Sequence, residues 1–190
     1  YNTPIRTLTD ALMLRRLLAT SLLPLLLTLP LSAASQNAPA YKVPRAIDLQ
    51  ADGRLARQRN LPILIMFSQD GCSYCDQVRE QFLEPMRKSG DYTEKVIMRM
   101  LRLDSFDEIR DFDGQWREPD EIATRYRASV TPTVIFVDYR GHELAERLLG
   151  INTVAFYGGL LDDAIDLSLQ RLRPVNLSLQ PAPGDSHGIQ

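Results

Sequence analysis

The chain has 190 residues, of which 44% are hydrophobic and 24% charged, with 12 Pro, 10 Gly and two Cys. That composition is globular and excludes collagen-like, coiled-coil and wholly disordered chains. A formal net charge of −2, from 22 basic and 24 acidic residues, offers no one-signed field for nucleic acid.

The first stretch reads as an address. Residues 1–12 precede Met13 and read as upstream translation or a fragment boundary. Arg15 and Arg16 follow, then an apolar run from Leu17 to Leu31, then Ser32-Ala33-Ala34. Charge, apolar run and small residues form a secretory signal peptide, with the cut expected after Ala34. A bilayer span needs about 20 apolar residues. This run is shorter, and Pro24 and Pro30 interrupt it. A stable membrane anchor is therefore not expected, and the mature protein is expected in the periplasm. Export also changes the meaning of the cysteines, because disulfides persist outside the cytosol.

Residues 35–44 are polar with two prolines and read as a linker. Residues 45–58, with Ala46, Leu49 and Leu55 among charges, predict a short amphipathic helix. Leu61 to Phe67 is nearly continuously apolar, which predicts a strand buried on both faces. Ser68-Gln69-Asp70-Gly71 is a turn, and Cys72-Ser73-Tyr74-Cys75 follows it. Val78, Phe82, Leu83 and Met86 then recur at helical spacing across 75–88, where Pro85 should kink or end the helix.

Residues 95–104 predict a second strand. Residues 105–120 are polar and acidic, with Asp113-Gly114 as a turn and Trp116 among them. A helix is expected over 119–128, with Pro119 in its first turn. Residues 133–138 predict a third strand. Tyr139 to His142 form a tight turn, and 143–149 return as a fourth strand. Residues 153–172 predict an amphipathic helix facing inward through Phe156, Leu160, Ala164 and Leu167. Residues 173–190 read as a flexible tail. This order gives one α/β domain over 45–172: a central mixed sheet of about four strands flanked by helices, with parallel strands first and an antiparallel pair last.

Two cysteines cannot build a disulfide scaffold. With His142 and His187 they make a poor zinc set, so no metal is expected. Asp76 follows Cys75 where haem attachment would need His. A redox-active pair remains, beside a purely structural disulfide. Cys72 lies just ahead of the helix, where unpaired N–H groups and the helix dipole favour a thiolate. Cys75 lies one turn further in, placed to resolve a mixed disulfide formed at Cys72. The second element is Val130-Thr131-Pro132-Thr133, directly before a strand. Proline cannot donate to a sheet ladder, so its place there needs a reason. Paired with the cysteines, it predicts a cis Thr131–Pro132 bond that turns the Thr131 backbone toward them as a substrate shelf. Tyr74 is an exposed contact for a substrate chain, Asp70 a turn residue, and His142 a solvated tip.

These segments, FSQDGCSYC after a buried strand, VTPTVIFVD, and RGHEL leading into LLGI, resemble the thioredoxin superfamily in that order. More narrowly, GCSYCDQVREQFLEPM is similar to exported thioredoxin-like proteins of the SoxW/SoxS kind. The resemblance implies a thioredoxin-like fold and thiol–disulfide exchange. It implies Cys72 as nucleophile, Cys75 as resolving thiol and Pro132 as the cis-proline, with the Cys72–Cys75 disulfide as the only redox group and no other cofactor. The sequence departs from thioredoxin itself. Ser-Tyr replaces Gly-Pro between the cysteines, Gly71 replaces a Trp, and Met66 replaces a buried acid. That leaves Asp70, Asp76 or solvent as proton acceptor. Tyr74, and the Thr131 before the proline, are features shared with DsbC. The expected activity is an exported, monomeric oxidoreductase, mainly reductive. Its partners would be protein or small-molecule thiols and disulfides, and an upstream redox partner would reload the pair. A dithiol oxidase of DsbA-like role and a redox-sensitive binding module or chaperone are the alternatives. The insert 105–120 is a candidate for partner choice.

Overall fold

The computed structural model describes residues 41–173. The predicted signal peptide with its upstream residues (1–34), the expected linker residues 35–40 and the expected tail residues 174–190 lie outside the described residues.

The core is a four-stranded mixed sheet. β1 (Ile63–Ser68) lies parallel to β2 (Ile97–Arg102), with Ile63 opposite Ile97 and Ser68 opposite Arg102. β5 (Thr133–Val137) runs antiparallel to β1, and β6 (Leu148–Leu149) antiparallel to β5. All six residues of β1 are buried. Side chains alternate across a strand, so its two faces feed two core layers. Ile63, Ile65 and Phe67 pack with Leu49, Ala56, Ile122 and Ala123; Leu64 and Met66 pack with Val78, Leu83, Tyr157 and Leu161. This double cover explains why the run has no polar alternation.

Helix α1 (Leu49–Arg59) begins later than the apolar pattern suggests. The Asp48 carboxylate accepts the Ala51 amide at 2.7 Å and caps it. Residues ahead of it serve the sheet instead. Met100 N donates to Pro44 O at 2.9 Å, and Ala46 N donates to Met100 O at 2.8 Å. The outer edge of β2 thus gains partners, and Val43, inside the stretch read as a linker, is buried.

After the cysteines, α2 (Ser73–Val78) passes through a single π-turn (Arg79–Leu83) into α3 (Glu84–Ser89). Pro85 therefore does not end the helix. A proline lacks the N–H and crowds the carbonyl one turn back. The widened turn, in which Glu84 N donates to Arg79 O, sits directly before it.

The stretch 105–120 is more ordered than a polar loop. It holds a small antiparallel pair, β3 (Ile109–Arg110) and β4 (Trp116–Arg117), turning through Gly114 at φ +86°. Asp111 in its bend is fully buried, and Arg117 and Arg125 neutralise it. Helix α4 (Pro119–Arg125) stops before 128, where Arg127 takes a positive φ.

The predicted 143–149 strand is shorter too. Only β6 and a bridge between Val137 and Glu143 pair with β5. Between them Ala145 turns into the core. Helix α5 (Val154–Leu172) buries Tyr157, Leu161, Ala164, Ile165 and Ser168. Of the four residues expected inward, only Ala164 is buried; Phe156 is 70% exposed, Leu160 48% and Leu167 37%. The helix is apolar on two adjoining stripes, and the row of Tyr157, Leu161 and Ile165 takes the sheet.

Candidate active site

The site forms where β1 ends. Gly71, at φ +70°, turns the chain, and Cys72 then adopts an extended conformation as N-cap of α2. A side chain at position 71 would strain that turn. The Cys72 sulfur accepts the Cys75 amide at 3.1 Å. Cys72 and Cys75 are joined by a disulfide, with Cα atoms 5.2 Å apart. Cys75 is buried and Cys72 half-buried, so Cys72 is the more accessible of the two. Tyr74, between them, projects outward at 60% exposure.

The second loop arrives at the same end because β5 is antiparallel to β1, with Thr133 opposite Phe67. The Thr131–Pro132 bond is cis. The Thr131 hydroxyl donates to the Cys72 sulfur at 3.6 Å. Two bonds fix this corner: Thr133 Oγ1 donates to Val130 O at 2.7 Å, and Gly150 N donates to Pro132 O at 2.8 Å. Cys72, Cys75, Thr131 and Pro132 thus come together, with Tyr74 at the exposed rim. His142 lies at the opposite end of β5, its amide bonded to Asp138.

Charged groups clasp the turn before Cys72. Arg102, the last residue of β2, pairs with Asp70 and with Asp104. The Asp104 carboxylate also accepts the Asp70 amide at 2.9 Å. The Arg102 guanidinium, then the Asp70 amide, hold the Asp104 carboxyl below its ordinary range. On the other side, Arg79 bonds Asp76 at 2.7 Å and the buried Glu84 at 3.1 Å. Both candidate proton acceptors, Asp70 and Asp76, are therefore engaged by arginines. Met66, in the position of the missing acid, is fully buried.

Sequence reasoning does not single out Arg102 or Asp104, and it names Val130 only as the first residue of the Val130–Thr133 element. Val130 is half exposed beside Thr131. The one available signal for the clasp is the charged end of the second strand, Arg102 and Asp104, brought beside the first by parallel pairing.

Residues 49–165 match the family model described as a thioredoxin-like domain. The chain belongs to that family, and its fold is thioredoxin-like. Among solved structures, it is similar to a thioredoxin from Thermus thermophilus at 22% identity, covering 67% of this chain and 88% of that one, with a TM-score of 0.48. It is also similar to a structure described as DsbH oxidoreductase, at 18% identity over 70% of this chain and 93% of that one, with a TM-score of 0.47. A thioredoxin-fold protein from Helicobacter pylori gives 20% identity, 58% and 81% coverage, and a TM-score of 0.38. No curated protein matches the chain.

Proposed function

We propose that this chain is an exported thiol–disulfide oxidoreductase of the periplasm, acting mainly as a reductant. The observation that carries the reading is the Cys72–Cys75 disulfide at a helix N-terminus, facing the Thr131–Pro132 corner.

In the reduced protein the Cys72 thiolate attacks one sulfur of a substrate disulfide. The substrate S–S bond breaks, a mixed disulfide forms at Cys72, and the other substrate sulfur leaves as a thiolate. Cys75 then gives up its proton and attacks the Cys72 sulfur. The internal disulfide closes, the second substrate sulfur leaves, and two electrons have passed to the substrate. Solvent takes the Cys75 proton, since Asp70 and Asp76 are already engaged by Arg102 and Arg79. An external dithiol, the upstream redox partner, returns the two electrons.

The apolar leader ahead of Ser32-Ala33-Ala34, and the likeness of GCSYCDQVREQFLEPM to SoxW/SoxS-type proteins, support export. The protein works as a monomer on protein or small-molecule disulfides. Its direction is read from the reduction potential: about −270 mV marks a reductant, and about −120 mV an oxidant of DsbA-like role. The activity itself is tested by reduction of insulin with dithiothreitol as electron source. The wild-type protein should accelerate it, and Cys72→Ser should not; equal rates would sink the proposal.

A further inference from the structure

A groove of about 640 Å³ opens between β6 and the outer face of α5. Its walls carry Leu149, Phe156, Leu160 and Leu167, and every one of them is more than a third exposed. An apolar cleft of this kind on a protein surface marks a binding site. We propose that it takes an extended segment of a protein substrate, apolar at alternate positions and carrying a basic residue. The inference rests on the oxidoreductase reading and narrows its substrates to polypeptides.

Three observations choose this occupant. The first is the backbone of β6. Gly150 N donates to Pro132 O, and Leu148 pairs with Val134, so the antiparallel alternation turns the Leu149 amide and carbonyl outward. An edge with outward N–H and C=O groups pairs with an extended strand. The second is position. The same Gly150 that bonds Pro132 lines the groove, so a chain held in mixed disulfide at Cys72 can continue over Pro132 into it. The third is charge. Glu146 on one wall and Asp163 on the other are exposed and have no ion-pair partner among the described residues. Arg147, also in the lining, is already held by Glu143. The rim therefore favours a cation on the occupant.

The test compares two synthetic peptides with the same internal disulfide. One carries Leu-Ser-Leu-Lys beside it, the other Gly-Ser-Gly-Ser. The wild-type protein should reduce the first with a kcat/KM at least about fivefold higher, the scale of one interface anchor. Phe156→Glu and, separately, Leu160→Gln should remove that preference and leave the Gly-Ser peptide unchanged. Equal reduction of both peptides by the wild-type protein overturns the inference while the oxidoreductase reading stands. Reduction of neither peptide removes that reading and this one together. A dimer in sedimentation that Phe156→Glu dissociates, with no peptide preference, assigns the groove to a second copy and overturns it. A preference that emerges only when the chain is ended at Arg173 assigns the groove to the chain's own C-terminal segment and overturns it as well.

Discussion

The Thr131 hydroxyl reaches the Cys72 sulfur at 3.6 Å, a contact made by two loops 59 positions apart in the chain. The antiparallel register of β5 on β1 brings them together, and the Pro132–Gly150 bond holds the corner in place. A hydroxyl donating to a thiolate favours the charged form. Bonds to charged groups contribute about 1.5–3 kcal/mol, and one pKa unit corresponds to ~1.4 kcal/mol. Thr131→Val should therefore raise the pKa of the reduced Cys72 thiol by about one to two units. Titration of the thiolate absorbance against pH measures it, and an unchanged curve would leave the hydroxyl without a role.

Asp111 anchors the β3–β4 pair from a fully buried position, through Arg117 and Arg125. Removing it strips both guanidiniums, themselves partly solvated, of their shared acceptor. Asp111→Ala should cost about 2 kcal/mol in urea denaturation. The cysteines lie on other elements, so the reduction potential should stay as in the wild type.

Tyr157 is buried at 3% exposure, and its hydroxyl has no hydrogen-bond partner among the described residues. Its ring packs against Phe82 at 5.2 Å. Leaving a buried hydroxyl unpaired costs about 1–3 kcal/mol. Tyr157→Phe keeps the ring and removes that cost, so urea denaturation should show a gain of about 1 kcal/mol.

Tyr126 gives the alkaline limb of stability. Burial pushes its hydroxyl from the ordinary 10.0 up to about 12. The unfolded chain ionises first, so the stability tied to the neutral hydroxyl is complete below pH 10 and is lost as pH rises toward 12. Tyr126→Phe removes the Tyr126–Gly141 bond and lowers stability at neutral pH. Between pH 10 and 12 it should lose less stability than the wild type does, measured by chemical denaturation at each pH.

Much of the fold is legible in the sequence because its strongest signals are local. The Leu61–Phe67 run can bury both faces only under two helical layers, and Cys72 at a strand–helix junction marks the site. The rest depends on partners distant in sequence. Helix α5 carries apolar residues at 156, 160 and 167 and also at 157, 161 and 165, and periodicity alone cannot say which stripe meets β5. Asp111 looks like one more acid in a polar stretch, and its burial follows only from the arginines at 117 and 125. The Arg102–Asp70 pair exists because β2 lies parallel to β1, a relation no local pattern states. Pro85 resembles a helix end until the π-turn ahead of it is seen.

In the proposed exchange Cys72 attacks and Cys75 resolves. Mixed-disulfide trapping with Cys75→Ala tests it most directly. The reduced variant, incubated with a disulfide-bonded protein, should accumulate a covalent adduct through Cys72 that dithiothreitol releases. Cys72→Ala under the same conditions should form none. Adducts that form through Cys75 in Cys72→Ala and not through Cys72 would reverse the proposed roles of the two sulfurs.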